Sequence, residues 1–315
     1  MWQRSRAKLL IQQIAACIDM VPLCHGNLEA SLLPGCGGAF SYLRWKGQDL
    51  LRPLVSGCDS LPEGPRHSGG YVLAPYSNRI ADAAFSWQGE TICLKRNFGN
   101  HPHSLHGFAW QRAWELVRQD EQSQDRATLV LHHLPDTDWP WSCKVTQEVS
   151  LGPNRVSLTL SLENLDTRPM PAGLGWHPYF QRTPKVQLEF AAASVWINDD
   201  RQLPTHQVTP PDKWHFCHLR PLEWPGVDNC YTGWSRHAQI HWPEYRLRLR
   251  LLASEELSHL VLFTPEQQDF FALEPVSHAN AALNSDKPHA HGMQTLAPGE
   301  SFSCHLQLNL EEDHG

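Results

Sequence analysis

The chain has 315 residues, 41% of them hydrophobic and 19% charged, and its formal net charge is −7. This composition excludes a disordered chain, and the acidic balance without a basic run argues against nucleic acid and membrane surfaces as partners. Nine scattered cysteines without a C-x-x-C pair argue against a zinc cluster or a disulfide framework, and they favour free thiols in a reducing cytoplasm.

Residues 1–19 differ from the rest of the chain. Basic side chains precede a short apolar run, as they do in a signal peptide. Gln12 and Gln13 interrupt that run, no convincing cleavage site follows, and the run is too short to span a bilayer. We therefore predict a short N-terminal extension, either an amphipathic helix or a segment upstream of a natural start at Met20.

From Met20 onward, short apolar runs alternate with turn residues, which is typical of antiparallel all-β proteins. Val156, Leu158, Leu160 and Leu162 mark one face of a strand whose other face is polar. The predicted strands include 28–33, 39–45, 85–87, 91–94, 127–132, 143–151, 155–162, 186–190, 246–252, 259–263 and 301–310. Without helical periodicity or a linker after residue 20, we predict one large β-sandwich domain over residues 20–315.

The segment 173–180 (GLGWHPYF) centres on His177. Glycines free the backbone before it, Pro178 restricts the backbone after it, and Trp176 belongs to an aromatic wall beside it. A rigid backbone and packed rings would hold one imidazole in one orientation. Two interpretations stay open at this point, a catalytic histidine and a hydrogen-bonded core histidine.

Glu274 follows a largely apolar run within residues 270–278. A carboxylate at the end of a buried strand is costly unless it is partnered, and desolvation would raise its pKa. A raised pKa suits a general base. The alternative is a structural glutamate that caps a loop.

Two further segments carry polar side chains in turns. Asn78 and Arg79 precede a predicted hairpin, where an arginine is either a solvated surface charge or a functional group. Asp228 lies in a predicted loop bounded by proline and glycine and close to aromatic residues. Asp-Asn is ordinary turn chemistry, although an acid beside aromatic rings also suits hydroxyl binding.

Three histidines, His101, His103 and His106, lie close together in sequence and suggest a metal site. No cysteine or carboxylate lies among them at a ligand-like offset. His106 followed by Gly107 is more typical of a histidine in a glycine-relieved turn. We therefore expect no metal.

Together these segments supply a base (Glu274), an acid (His177), a second imidazole (His106), an arginine (Arg79) and a hydroxyl acceptor (Asp228). The sequence shows neither a nucleophile elbow nor a phosphate-binding glycine loop. One carboxylate in the strongest motif argues against hydrolysis of glycosides by paired carboxylates. The pattern favours proton-transfer chemistry on a neutral polyol.

In this order, the motifs resemble those of the aldose 1-epimerases (mutarotases), over nearly all of Met20 to Leu310. The matching segments are Gly37-Gly38, 49–52 (DLLR), 78–80 (NRI), 105–107 (LHG), 175–180 (GWHPYF), 227–229 (VDN), 273–275 (LEP) and 296–300 (LAPGE). The resemblance implies a large antiparallel β-sandwich, the galactose mutarotase-like supersandwich.

The resemblance also implies residue roles. Glu274 would remove the proton from the anomeric hydroxyl, and His177 would protonate the ring oxygen from the far side of the sugar. His106 and Arg79 would hold and polarise the oxygens near the ring oxygen, and Asp228 would accept hydrogen bonds from hydroxyls. The substrate-binding residues would be Arg79, Asp228, Asn78 and Trp176.

This chemistry opens the ring at C1–O5, lets the aldehyde rotate and recloses the ring with the opposite anomeric configuration. It needs no metal and no cofactor. We expect a cytoplasmic isomerase with a monosaccharide substrate, present as a monomer or homodimer.

Two departures point to a less characterised bacterial branch of the family. Phe108 follows Gly107, and Pro275 follows Glu274, where the better-studied galactose enzymes have Gly and Thr-Gln. Galactose is therefore not implied as the substrate. The alternatives are a hexose-6-phosphate 1-epimerase and a non-catalytic sugar-binding protein. Candidate phosphate-binding residues are Arg44, Lys95, Arg96 and Arg112.

Overall fold

The computed structural model describes residues 20–55, 64–119, 124–223 and 225–313, so the predicted N-terminal extension lies outside the described residues. In these ranges the first strands are β1 (Val21–His25), β2 (Leu28–Leu33), β3 (Ala39–Trp45), β4 (Gln48–Asp49), β5 (Gly70–Leu73), β6 (Arg79–Ile80), β7 (Ala84–Trp87), β8 (Glu90–Cys93), β9 (Ser104–Leu105), β10 (Glu115–Gln119), β11 (Arg126–His133), β12 (Cys143–Gly152) and β13 (Arg155–Asn164).

The following strands are β14 (Met170–Ala172), β15 (Gly175–Gln181), β16 (Gln187–Phe190), β17 (Ser194–Asn198), β18 (Pro204–Val208), β19 (Arg220–Pro221), β20 (Asp228–Thr232), β21 (His237–Trp242), β22 (Leu247–Ala253), β23 (His259–Phe263), β24 (Phe270–Val276), β25 (Gln294–Leu296) and β26 (Ser301–Glu312). Short 3₁₀ helices cover Gly64–His67, Ala81–Ala83, Ala109–Gln111, Asp212–Trp214, Pro243–Tyr245, Ala282–Asn284 and Pro288–His291. Among the described residues, no helix is long and apolar enough to cross a membrane.

Two large antiparallel sheets dominate the structure. The larger sheet has the order β1-β2-β3-β5-β15-β24-β23-β20-β17-β18, with β4 beside β3. The smaller has the order β10-β11-β12-β13-β26-β22-β21-β16-β19. The predicted antiparallel all-β sandwich is thus confirmed. The division into an extension and one domain over 20–315 stays a prediction.

The main core lies between the two sheets. In β13, the predicted alternation is realised, because Val156, Leu158, Leu160 and Leu162 are buried and the intervening side chains are half-buried. They join one apolar cluster with side chains of the larger sheet, such as Leu32. Burying each such side chain contributes about 1.5–3 kcal/mol, so this interface holds the sheets together.

A second, smaller apolar cluster lies on the opposite face of the larger sheet. It includes Tyr71 on β5, Tyr179 on β15, Cys230 on β20, Val261 on β23 and Ala272 on β24. These are central strands, so the cluster makes a rigid, buried floor. Polar side chains that point to this face from the same strands are held above that floor.

Candidate active site

Strand register places the two predicted acid–base residues side by side. β15 pairs with β24 at Gly175↔Val276 and again at Tyr179↔Ala272, so His177 lies opposite Glu274 between these pairs. Side chains two apart on a strand share a face, and His177 and Glu274 therefore point to the same side of the sheet.

His177 and Glu274 contact each other directly, with 3.2 Å between Nε2 of the imidazole and Oε1 of the carboxyl group. Their relative exposures are only 6% and 2%. The second carboxyl oxygen of Glu274, Oε2, is buried without a hydrogen-bond partner. The pair therefore has an unused acceptor, which a bound ligand could occupy.

Burial shifts both groups away from their charged forms. It raises the pKa of Glu274 well above the usual carboxyl range, and the nearby Asp228 carboxylate adds to the rise while Arg79 opposes it. Burial lowers the pKa of His177 to about 3, helped by the positive charges of Arg66 and Arg52. Both pKa shifts favour a neutral pair, in which the carboxyl group of Glu274 carries one proton that can move to the imidazole of His177.

The two-stranded sheet of β6 and β9 positions His106, which directly follows β9. Its backbone N–H donates to the carbonyl of Asn78 at 2.8 Å, and the N–H of Asn78 donates to Nδ1 of His106 at 3.1 Å. Because Nδ1 accepts this bond, the ring hydrogen of a neutral His106 is on Nε2. Burial and the neighbouring His177 lower the pKa of His106 well below its usual value. His106 is therefore a neutral hydrogen-bond donor.

Asn78 and His106 both adopt left-handed backbone angles, with φ of 57° and 61°. Such angles cost energy for residues other than glycine and recur at functional sites. Gly107 follows, and a Cβ there would lie 2.0 Å from the carbonyl oxygen of Ala74. Only glycine fits at this position, which explains the His-Gly motif.

Arg79 and Asp228 lie beside each other in the cleft. Nη2 of Arg79 is 3.7 Å from Oδ2 of Asp228, and Nη1 donates to Oδ1 of Asn78 at 3.2 Å. Nε of Arg79 is buried without a partner. Burial raises the pKa of Asp228, and the Arg79 charge opposes this rise. Asp228 begins β20, so its predicted loop position was wrong.

These side chains surround an open cleft of about 130 Å³. Its walls consist of Arg66, Tyr71, Asn78, Arg79, Phe98, Leu105, His106, His177, Tyr179, Asp228, Phe263 and Glu274. The volume is small for a ligand pocket and suits a small polar molecule. The cleft thus brings together six of the seven predicted site residues.

Trp176, the seventh predicted site residue, does not line the cleft, so this prediction was wrong. It is adjacent to His177 on β15 and therefore points to the opposite face of the sheet. Its ring is buried in the main core, with its centroid 5.6 Å from that of Phe40. A one-residue step along a strand reverses the side-chain direction, so Trp176 packs between the sheets and does not line the cleft.

His177 and Glu274 are in direct contact, whereas the resemblance implied that the two act from opposite sides of a sugar. At this separation no ring fits between the two groups, so both face the cleft from the same wall.

The other histidines of the predicted cluster lie apart from the cleft lining. The rings of His101 and His103 are 4.9 Å apart, and Nδ1 of His103 accepts from the backbone of Asp82. Within the described part of the chain, no group of three or more His, Cys, Asp or Glu side chains has the arrangement of a metal site.

The proposed phosphate-binding arginines and lysine also lie outside the cleft lining. Arg44 pairs with Asp49, and Arg112 pairs with Asp136 and Asp138. The basic side chain that does line the cleft beside Arg79 is Arg66, which packs over Phe98 with its guanidinium carbon 4.2 Å from the ring centroid. Sequence reasoning missed Arg66, since no motif marks it.

Two other residues were also missed. Tyr71 stacks on His177 with 4.9 Å between ring centroids, because β5 pairs Tyr71 with His177. His278 is buried, accepts from the N–H of Ser77 at 3.0 Å and bonds the carbonyl of Ala279 through Nδ1 at 2.8 Å. Cross-strand register locates Tyr71, and the sequence carries no local signal for it.

The sequence model of the aldose 1-epimerase family matches residues 19–309. An uncharacterised Escherichia coli K12 protein, YphB, is 28% identical over 298 residues, which are 92% of this chain and 98% of that protein. An aldose 1-epimerase of Escherichia coli K12 is 28% identical over 166 residues, 51% of this chain and 40% of the enzyme.

Solved structures show the same fold. The crystal structure of a candidate aldose 1-epimerase from Escherichia coli K12 superposes with a TM-score of 0.84 at 27% identity, covering 94% of this chain and 99% of the other. A galactose mutarotase-like protein from Clostridium acetobutylicum has a TM-score of 0.82 at 20% identity, covering 92% and 94%.

The cleft holds the buried pair of His177 and Glu274 on a fold that the aldose epimerases and mutarotase-like proteins share. The chain belongs to the aldose 1-epimerase family. Membership supports a carbohydrate epimerase kind of function.

Proposed function

We propose that this chain is a cytoplasmic aldose 1-epimerase that interconverts the α and β anomers of a free monosaccharide. The observation that carries the proposal is the buried pair of His177 and Glu274, in contact at 3.2 Å within one cleft. A binding protein needs hydrogen bonds to hydroxyls but has no need of a carboxyl group and an imidazole that share one proton. The pair supports proton transfer.

In the proposed reaction, the carboxylate of Glu274 takes the proton from the O1 hydroxyl, and the imidazolium of His177 gives a proton to O5. The C1–O5 bond breaks while a C1=O1 double bond forms. The products are an open-chain aldehyde, protonated Glu274 and neutral His177. Rotation about C1–C2 presents the other face of the carbonyl group, and the reverse steps close the ring and restore both protons.

The environment of the pair supports this sequence of steps. Burial favours protonated Glu274 and neutral His177, which is the protonation state that accompanies the aldehyde. The site therefore stabilises the open-chain stage relative to a pair in water, where the charged forms would prevail. Direct contact also provides a path by which one proton can return from Glu274 to His177.

Three further residues would hold the sugar. A neutral His106 would donate from Nε2 to a sugar oxygen, because its Nδ1 is occupied by Asn78. Arg79 would donate from Nε, which has no partner, and from the terminal nitrogens of its guanidinium group. Asp228 would accept from hydroxyls. Asn78 would act indirectly, by orienting the Arg79 and His106 side chains.

Polarimetry and exchange NMR of anomer interconversion test the proposal, over a panel of aldoses and their 6-phosphates. We expect wild type to accelerate at least one free aldose. The variants Glu274→Gln and His177→Asn should each lose about 100-fold or more, the scale of general acid–base catalysis. Glu148→Gln and His132→Asn make the same changes at exposed positions of the smaller sheet and should retain activity.

Full activity in both cleft variants would contradict the assignment of the acid and base. Acceleration confined to phosphorylated sugars would identify a hexose-6-phosphate epimerase. Sugar binding without acceleration of any aldose would identify a binding protein.

A further inference from the structure

The segment 49–52 (DLLR) ends in Arg52, and the proposed reaction assigns no role to it. Leu51 is fully buried in the main core. The backbone N–H of Arg52 donates to the carbonyl of Tyr179 at 2.8 Å, which places Arg52 beside the end of β15. The segment therefore brings a positive charge close to the strand that carries His177.

The guanidinium group of Arg52 contacts two aromatic rings at once. Its carbon atom Cζ is 4.2 Å from the ring centroid of Tyr179 and 4.2 Å from that of Phe270. The two rings also meet edge to face, with 5.1 Å between their centroids. A cation over an aromatic ring is attracted by the negative charge of the ring face, and the attraction grows when water is excluded. Arg52 therefore joins the two rings.

Backbone carbonyls hold the guanidinium group in this place. Nε and Nη2 of Arg52 both donate to the carbonyl of Ser68, at 3.2 and 3.1 Å, and Nη2 also donates to the carbonyl of Arg66. The planar fork of an arginine can make such bonds while its face stacks on a ring, which the ammonium group of a lysine cannot do. The contact with the rings therefore depends on the shape of the group as well as on its charge.

The two rings belong to the strands that carry the acid–base pair. Tyr179 is two residues after His177 on β15, and Phe270 is four residues before Glu274 on β24. An even spacing along a strand puts side chains on one face, so the rings and the pair share the cleft face of the sheet. The Tyr179 ring also packs on the imidazole of His177, with 4.5 Å between centroids. Movement of Tyr179 would therefore displace that imidazole.

The backbone is least constrained at the same place. The pairing of β15 with β24 is interrupted between Gly175 and Tyr179, where His177 and Glu274 lie. Backbone hydrogen bonds therefore do not set the separation of these two side chains, and side-chain contacts on the cleft face have to set it.

We propose that Arg52 is a positioning residue for the acid–base pair. Its guanidinium group clamps Tyr179 of β15 to Phe270 of β24, and this clamp holds the imidazole and the carboxyl group of the pair at the separation that proton transfer requires. Neither Arg52 nor Phe270 is among the residues that line the cleft, so the clamp acts without touching the substrate. This inference rests on the proposed epimerase function, in which it gives the DLLR segment a role.

The experiment measures kcat and KM separately for Arg52→Met and Arg52→Lys, with an aldose that wild type accelerates. Arg52→Met should lower kcat about tenfold or more and change KM by less than about twofold, because a displaced acid and base slow the reaction without removing a substrate contact. Arg52→Lys should recover part of kcat, since it restores the charge but not the planar fork. A loss confined to KM would overturn the proposal.

Phe270→Leu tests the clamp from its other side. It should lower kcat several-fold, and the double variant Arg52→Met/Phe270→Leu should lose no more than Arg52→Met alone, because either substitution breaks the same contact. Losses that multiply in the double variant would show two independent effects and would overturn the clamp.

Arg220→Met is the matched control. Arg220 on β19 also lies over an aromatic ring, that of Phe216, and donates to the carbonyls of Asp212 and His215, but it lies outside the cleft lining. It should leave kcat unchanged. Equal losses of kcat and of melting temperature in Arg220→Met and Arg52→Met would reduce Arg52 to a stability role.

NMR of the histidine rings separates this inference from the epimerase function. The Cε1–H signal of His177, assigned by its absence from His177→Asn, depends on the aromatic rings that pack on it. Arg52→Met should shift this signal, and Arg220→Met should not. A shift in a protein whose wild type accelerates no aldose would retain the clamp and reject the epimerase. An unmoved signal in Arg52→Met would overturn the clamp, whether or not the protein is active.

Discussion

At the residue scale, the mobile proton of the His177–Glu274 pair determines how the protein should respond to pH. The proposed reaction requires one proton on the pair, because a doubly protonated pair has no base and a fully deprotonated pair has no acid. The lowered pKa of His177, about 3, moves the acidic limit down, and the raised pKa of Glu274 moves the basic limit up.

We therefore expect kcat/KM to be level across neutral pH, with no inflection near the ordinary histidine value of about 6.5. It should fall only well below that value and on the alkaline side. Polarimetry from pH 5 to 9 with a stable, folded protein measures this profile. A titration of kcat/KM centred near pH 6.5 would contradict the neutral state of His177.

His278 is a positioning residue that connects the strand of Glu274 to the loop of Asn78. Its Nε2 accepts from the N–H of Ser77, and its ring fills the space beside Gly173, where a Cβ would lie 2.3 Å from the imidazole. Burial lowers its pKa to about 4, so the acceptor form persists at neutral pH. The ring therefore holds the Arg79 loop against the end of the strand that carries Glu274.

We expect His278→Ala to lower kcat/KM about tenfold or more, because the loop that holds the substrate is released. His278→Gln should recover part of the loss, since a side-chain oxygen can replace Nε2 as acceptor. His133→Gln is the control, a buried histidine that bonds the carbonyl of Trp139 elsewhere in the fold. Equal kcat/KM losses in His133→Gln and His278→Ala, measured on fully folded protein, would reduce His278 to a stability role.

At the scale of elements, β15 shows how two-residue periodicity divides core from site. His177 and Tyr179 face the cleft, while Trp176 and Phe180 face the main core. Pro178 and Pro275 cannot donate backbone hydrogen bonds. The pairing of β15 with β24 skips the residues between Gly175 and Tyr179. The ladder is therefore interrupted where the acid–base pair lies.

The two-stranded β6–β9 sheet depends on the close approach of Gly107 to Ala74. We expect Gly107→Ala to destabilise the protein by several kcal/mol, since the new Cβ would lie 2.0 Å from a backbone oxygen, and to displace His106. Gly89→Ala is a matched control, because its φ is also positive, at 86°, and a Cβ there would contact no atom within 4 Å. Gly89→Ala should lower the free energy of unfolding by only about 1 kcal/mol.

Chemical denaturation measures the loss of stability in each variant. A fall in kcat/KM would show that His106 has been displaced. Equal destabilisation by the two substitutions would show that the backbone angle, and not the contact with Ala74, is the constraint at Gly107.

At the scale of the whole molecule, several buried histidines link stability to pH. Burial lowers the pKa of His259 and of His278 to about 4 and that of His177 to about 3. The unfolded chain takes up these protons near pH 6.5, before the folded chain does. Stability is therefore present above pH 6.5 and is lost as pH falls toward 4, by up to about 1.4 kcal/mol per pH unit for each histidine.

Glu274 acts in the opposite direction, because its raised pKa contributes stability at low pH that is lost as pH rises. The histidines outnumber it, so we expect the free energy of unfolding to fall by several kcal/mol between pH 7 and pH 4.5. His259→Gln should reduce this slope, whereas His206→Gln, at an exposed position, should not. Urea titrations at each pH test this, and identical slopes in both variants would contradict it.

Local patterns were sufficient to predict most of the fold and to select most of the candidate residues that meet in the cleft. Alternating apolar residues located strands such as β13, because period-two burial is a local property. Glycine at 107 and buried polar residues at 177 and 274 also stand out locally, since backbone strain and desolvation restrict which residues can occupy such positions. The family motifs then brought these residues into one hypothesis.

Contacts between distant segments could not be predicted in this way. The sequence by itself determined an all-β chain and indicated a candidate acid and base, because strand periodicity and side-chain chemistry depend on neighbouring positions. Only the tertiary structure decided that Trp176 is core, that His278 holds the Arg79 loop, and that Tyr71 lines the cleft beside His177. Strand register and the crossing of segments about 100 to 200 residues apart set these contacts, and no local pattern specifies either.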